Sequence, residues 1–161
     1  MRILAFDTAT NTGVCFGVTG EKPVTFTVGL GKVDWSVRFS RTLKMTRKLI
    51  TEYEPDLVAV EAFVGGPKAN SNLIGLVACV QGETDRMGVK QVAYYPATVR
   101  KHFLGGIRSK APIKSQVYAR CQMLGWDVQD TDAADAAALW DYTCAMNSRS
   151  HQMTTVGGLF K

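Results

Sequence analysis

The sequence has no apolar run approaching the roughly 18 residues a bilayer-spanning helix needs, and only four apolar residues, Ile3 to Phe6, lie between Arg2 and the first acid, Asp7. A membrane span is excluded, and an export leader is not expected. Cysteine is sparse and never paired closely: Cys15, Cys79, Cys121 and Cys144 form no Cys-x-x-Cys motif. A thiolate zinc site or a redox dithiol is therefore not indicated, and the four read as reduced core residues of a cytoplasmic chain, an organellar or phage source being left open. There is no internal repeat and no linker-like stretch. Residues 1–146 are expected to form one domain, and 147–161, which lack periodicity, a flexible tail.

The 161 residues are 46% hydrophobic and 20% charged, enough for a single core. Nineteen Lys plus Arg against fourteen Asp plus Glu leave a net charge of +5, which suits a polyanionic partner if the acids are concentrated in one place. Taken alone, the same charge is ordinary for solubility.

Three short β-type runs, 2–7, 13–19 and 23–30, are separated by Asn11-Thr12-Gly13 and by Gly20-Glu21-Lys22-Pro23, and predict an antiparallel meander. Residues 36–53 place Phe39, Leu43, Leu49 and Ile50 at helical spacing, with Pro55 as the stop. The strand expected over 56–61 is apolar throughout its centre, Leu57 to Val60, as a parallel strand covered on both faces would be. A helix over about 69–87, a strand at 91–95, a short helix from Pro96 to about Phe103, a helix from Ile113 to Leu124 and a last helix from about Asp132 to Met146 complete the reading. The layout is α/β and ribonuclease H-like: a mixed five-stranded sheet, three antiparallel strands then two parallel ones, with helices on both faces. The first strand would pair with the fourth.

Four acids stand out against this frame. Asp7 ends Ile3-Leu4-Ala5-Phe6, Glu61 ends Leu57-Val58-Ala59-Val60, and Asp132 and Asp135 open Asp-Ala-Ala-Asp-Ala-Ala-Ala-Leu. An unpaired carboxylate at the exit of a buried strand is expensive, and two of them about 4 Å apart repel by about 4 kcal/mol at an effective dielectric near 20. A cation relieves both costs, and carboxylate clusters that hold two metal ions hydrolyse phosphodiesters. Each acid also has a plain structural explanation: a turn aspartate at 7, a strand-end surface acid at 61, and helix capping with a favourable dipole at 132 and 135. The four coincide on one architecture, and the two helical acids share a face beside an alanine-rich, smooth surface.

The ordered segments Ile3-Leu4-Ala5-Phe6-Asp7 with Thr12-Gly13, Val58-Ala59-Val60-Glu61, Lys114-Ser115-Gln116-Val117 and Asp132-Ala133-Ala134-Asp135-Ala136 resemble the successive motifs of RuvC-type Holliday junction resolvases, over about residues 2–146. The resemblance implies a crossover junction endodeoxyribonuclease in which Asp7, Glu61, Asp132 and Asp135 are the catalytic ligands of two Mg²⁺ ions, Mn²⁺ being the alternative. It implies a homodimer acting on branched DNA, nicking two opposed strands of a four-way junction to leave 5′-phosphate ends. Phe63, two residues past Glu61, would stand for the aromatic that wedges into the junction, although a core phenylalanine is the other reading.

Lys114, at the family's lysine position, is expected to face the scissile phosphate, with Lys110, Arg108, Lys101, Lys68 and Asn70 extending a phosphate track. Solvated loop lysines are the competing reading for each. Arg41, Lys44 and Lys48 form a basic stripe on the first helix, a solvated face unless it lies beside the cleft. His102 and His151 are set aside as proton-handling groups. Three other functions compete: a nuclease of the same fold on other branched or RNA-containing substrates, a non-catalytic junction binder, and a nucleotide-binding protein of the actin/hexokinase superfold suggested by Asp7-Thr8-Ala9-Thr10.

Overall fold

The alternation of side chains along each strand decides what the sheet carries on its two faces. In a computed structural model describing residues 1–66, 69–106 and 109–148, the strands are β1 (Arg2–Asp7), β2 (Asn11–Val18), β3 (Val24–Gly29), β4 (Leu57–Glu61) and β5 (Lys90–Tyr94). The helices are α1 (Trp35–Tyr53), α2 (Asn72–Arg86), α3 (Pro96–Leu104), α4 (Ile113–Met123) and α5 (Thr131–Asn147). Sequence candidates Lys68, Arg108 and His151, and the expected tail beyond Ser148, lie outside the described residues.

The sheet order is β3-β2-β1-β4-β5. β1 pairs with β2 antiparallel and with β4 parallel, and β5 continues parallel to β4. This is the expected mixed sheet, with the first strand beside the fourth. Leu4, Phe6, Val14, Val58 and Val60 face α1 and α2, whereas Ile3, Ala5, Cys15, Leu57 and Ala59 face α3, α4 and α5. By the same period of two, Asp7 and Glu61 follow Ala5 and Ala59 onto the α5 side. They sit one step beyond the registered pair Phe6↔Val60, at the C-terminal edge of two neighbouring parallel strands. β1 is where the sheet changes from antiparallel to parallel, the kind of position at which α/β sheets open a ligand crevice.

Helix α5 lies close to this face because small residues let it. Ala133, Ala134, Ala136, Ala137 and Ala138 are fully buried. A β-carbon at Gly13 would stand 2.0 Å from the Asp132 carbonyl oxygen, and one at Gly17 would stand 2.7 Å from the Trp140 ring. The Trp140 indole Nε1 donates to the Gly17 carbonyl at 3.3 Å.

Three boundaries differ from expectation. Asn11-Thr12-Gly13 is not a turn but the start of β2, because the reversal is completed by residues 8–10, where the Thr12 hydroxyl donates to the Ala9 carbonyl at 2.8 Å. Helix α2 begins at Asn72, not near 69, and α5 runs through Asn147, one residue past the expected domain end. Helix α1 stops at Tyr53 as Pro55 dictates, with Glu54 in the left-handed region at φ 44°. The four cysteines are free thiols, and burial holds those of Cys121 and Cys144 up at about 12. Among the described residues no helix is long and apolar enough to cross a membrane.

Candidate active site

Asp7 and Glu61 stand side by side at the sheet edge, their carboxyls within hydrogen-bonding reach of each other. Burial pushes the Asp7 carboxyl well above its ordinary range, reinforced by the negative charges of Glu61 and Asp135. Burial also raises Glu61, against the lowering pull of the Asp7 hydrogen bond and of Arg100. Two acids forced together out of water favour one shared proton over two adjacent charges.

Asp135 comes to the same place from α5. Its Oδ2 accepts from Arg100 Nη2 at 3.0 Å and lies 3.2 Å from Lys114 Nζ, while Arg100 Nη2 is 4.0 Å from Glu61 Oε1. Its other oxygen, Oδ1, is buried with no hydrogen-bond partner. Asp132, one turn earlier and less buried, accepts from Lys114 Nζ at 2.9 Å. Burial pulls the Lys114 ammonium down, but the hydrogen bond to Asp132 and the charges of Asp135 and Asp7 outweigh it and leave the group above its ordinary value. Burial acts likewise on Arg100 and is outweighed by Asp135 and Glu61.

Neither helical acid caps α5. Asp130 is the N-cap: its Oδ1 accepts from the Ala133 amide at 2.8 Å and from the Thr27 hydroxyl of β3 at 2.7 Å. The cap thereby ties the helix start to the sheet and leaves Asp132 and Asp135 free for other work. Asp130 was readable as a cap one step before the pair. Arg100 had no signal at all, since Val-Arg-Lys-His in a short helix reads as solvated surface until α3 is known to lean on α5.

Among the described residues no three His, Cys, Asp or Glu side chains are grouped so as to hold a metal ion as they stand. Two cations, Arg100 and Lys114, engage the acids instead. The donor set nevertheless fits a hard divalent ion: carboxylate oxygens only, one of them an orphan on Asp135, and two with raised proton affinity.

Phe63 has one side in the core and one toward the cleft. It is half-buried against the α1/α2 core, and it lines a cleft of about 400 Å³ with Asp7, Thr8, Glu61, Asn70 and Leu73. The Asn70 side chain accepts from the Asn72 amide at 3.0 Å, a local role at the start of α2. Lys101 lines a second hollow beside Arg100, and Lys110 is exposed before α4, away from the acids' ion pairs.

No protein-family model matches the chain, and no curated protein matches its sequence. Solved structures do. A Thermus thermophilus RuvC structure superposes with a TM-score of 0.68 at 18% identity, covering 99% of this chain and 96% of the other. The T. thermophilus RuvC in complex with a Holliday junction substrate gives 0.69 at 16% identity over the same shares. The yeast mitochondrial Holliday junction resolvase gives 0.68 at 13%, covering 95% of this chain and 80% of that one. The fold is thus the ribonuclease H-like fold of those proteins over nearly the whole chain.

Proposed function

We propose that this chain is a metal-dependent endodeoxyribonuclease that resolves four-way DNA junctions. The observation behind the reading is the meeting of Asp7, Glu61 and Asp135 at one end of the β1/β4 seam, buried, short of one hydrogen-bond partner, and overlain by two cations. The likeness in fold to proteins described as junction resolvases supports the substrate class.

Asp7, Glu61 and Asp135 would hold divalent ions, with Asp132 as a further ligand; Mg²⁺ is the proposed species, two per site. Such ions, when bound, activate water and stabilise the charge on the leaving oxygen of a phosphodiester. The protein's own groups then have distinct tasks. Asp7 and Glu61 give up the proton they share. Lys114 and Arg100, released from the carboxylates, face the phosphate and neutralise it, Arg100 by a planar fork and Lys114 as a point charge. No side-chain nucleophile is required: water attacks phosphorus in line, the bond to the 3′ oxygen breaks, and the products carry a 5′-phosphate and a 3′-hydroxyl. A twofold-symmetric substrate calls for a homodimer that nicks opposed strands in pairs.

The test is cleavage of a mobile four-way junction with Mg²⁺, beside Asp7→Asn. The parent is expected to make paired symmetric nicks, and the variant to bind without cutting. An Asp7→Asn protein that cuts like the parent removes the assignment. A panel of flaps, three-way junctions and RNA-containing duplexes separates a junction resolvase from a nuclease of the same fold with another substrate.

A further inference from the structure

The first helix carries a row of five cations, two of which, Lys44 and Lys48, make no hydrogen bond or ion pair among the described residues. Between Asp34 and Glu52 there is no acid, while Arg38, Arg41, Lys44, Arg47 and Lys48 are all basic. Arg47 is accounted for, since its Nε donates to the buried Glu83 at 2.6 Å. Arg41, Lys44 and Lys48 are exposed, and among the described residues none of the three is in an ion pair. Spacings of three and four put them on one stripe, where like charges work against the helix instead of for it. With no acid in the first turn of α1, the early cations also oppose its dipole. Lys44 and Lys48 cost the folded state and have no partner among the described residues, and the exposed Arg41, held at the Leu30 carbonyl, keeps further donors for a partner outside.

The stripe starts beside the turn that follows Asp7, although no residue of α1 lines the cleft itself. The Leu30 amide donates to the Thr10 carbonyl at 2.8 Å, closing the segment before α1 onto the turn that follows Asp7. Arg41 Nη1 in turn donates to the Leu30 carbonyl at 2.7 Å, and Arg38 Nε to the Gly31 carbonyl at 3.2 Å. On the neighbouring side Phe39 packs into the space left by Gly75, in the first turn of α2, beside Leu73 of the cleft wall. The far end of α1 returns to the start of β1, where Glu54 pairs with Arg2 at 3.3 Å, so Lys44 and Lys48 lead away from the acids. Positions 41 to 48 cover about 10 Å at 1.5 Å per residue, the axial rise of about three nucleotides at 3.4 Å each.

We infer that Arg41, Lys44 and Lys48 form a phosphate track for a duplex DNA arm leaving the cleft along α1, on the opposite side of the sheet from Lys114 and Arg100. The inference deepens the nuclease reading and rests on it. Its contacts are to backbone phosphates, so they set orientation and affinity and not sequence.

Lys44→Gln/Lys48→Gln tests it, because both side chains are exposed and make no hydrogen bond in the described structure. Binding to a four-way junction with long arms is measured from low to high salt. The slope of log K against log salt is expected to fall by about 1.8, at 0.9 per phosphate lost. On a junction whose arms are too short to reach α1, parent and variant should bind alike. Lys22→Gln/Lys90→Gln, at the far end of the sheet, removes the same charge and should leave the slope near the parent's. An unchanged slope in the α1 variant, or an equal drop in the control, overturns the track. Failure of the parent itself to bind or cut junctions would instead overturn the function it rests on.

Discussion

At position 13 a single hydrogen decides where two catalytic candidates point. Gly13 pairs with Asp7 across the β1/β2 ladder, and its missing side chain is the space into which the Asp132 carbonyl fits. In Gly13→Ala the new methyl would meet that carbonyl at 2.0 Å, so α5 must back off the sheet, taking Asp132 and Asp135 with it. Overpacking of this kind costs about 1–3 kcal/mol, and a shift near 1 Å at a reacting centre costs about 100-fold in rate. Gly17→Ala supplies the contrast: it collides with Trp140 at 2.7 Å but lies a full turn of α5 further from the acids. Melting and junction cleavage of the two variants should show similar losses of stability and a much larger loss of activity at 13. Equal activities would mean that the helix start does not aim the acids. A glycine in a strand is visible in any sequence, yet its purpose here depends on a helix more than a hundred residues later, which no local pattern announces.

Helices are placed by their ends and by the few polar contacts that cross between them. Asp130 joins the start of α5 to Thr27 of β3, and Asp130→Ala should lose about 1 kcal/mol from the cap together with the fixed position of the next turn. The second cross-tie is Glu83 of α2, which accepts from Arg47 of α1 at 2.6 Å and from Arg86 at 2.6 and 3.0 Å. Those hydrogen bonds hold its carboxyl down at about 2, against an ordinary 4.5. A depressed acid contributes its stability fully above its unfolded value and loses it as pH falls toward the folded one. Denaturation followed from pH 5 to pH 2 should therefore weaken the parent more than Glu83→Gln, which at neutral pH starts about 2 kcal/mol lower. Parallel curves would deny Glu83 this role. Strand periodicity and the Asp-Ala-Ala-Asp run made the sheet order, α5 and the four acids legible from sequence. The start of β2 is not legible locally, because Asn-Thr-Gly has turn composition but strand surroundings, and neither is Arg100, whose acids come from β4 and α5.

For the molecule as a whole, the proposed cation site would couple the stability of the fold to metal and pH. Asp7 is held protonated more strongly in the folded chain than in the unfolded one, since burial and its acidic neighbours raise its carboxyl well above 3.8. The sign follows from linkage: the folded state binds the extra proton, so this group's contribution to stability is largest in acid and declines as pH rises from about 4 through the raised folded value. Without divalent ions, the melting temperature of the parent should accordingly carry a downward term over that range. Asp7→Asn has no proton to lose and should lack the term, melting above the parent at neutral pH in a chelator. A cation that replaces the proton reverses the order: at 100 times its dissociation constant it adds about 2.7 kcal/mol to the parent by mass action, and much less to a variant missing a ligand. Calorimetry with Mg²⁺ in buffers of different ionisation heat should further show proton release on binding to the parent. If chelator and Mg²⁺ leave the melting of parent and Asp7→Asn unchanged relative to each other at every pH, the carboxylates do not form a cation site, whatever the protein does to DNA.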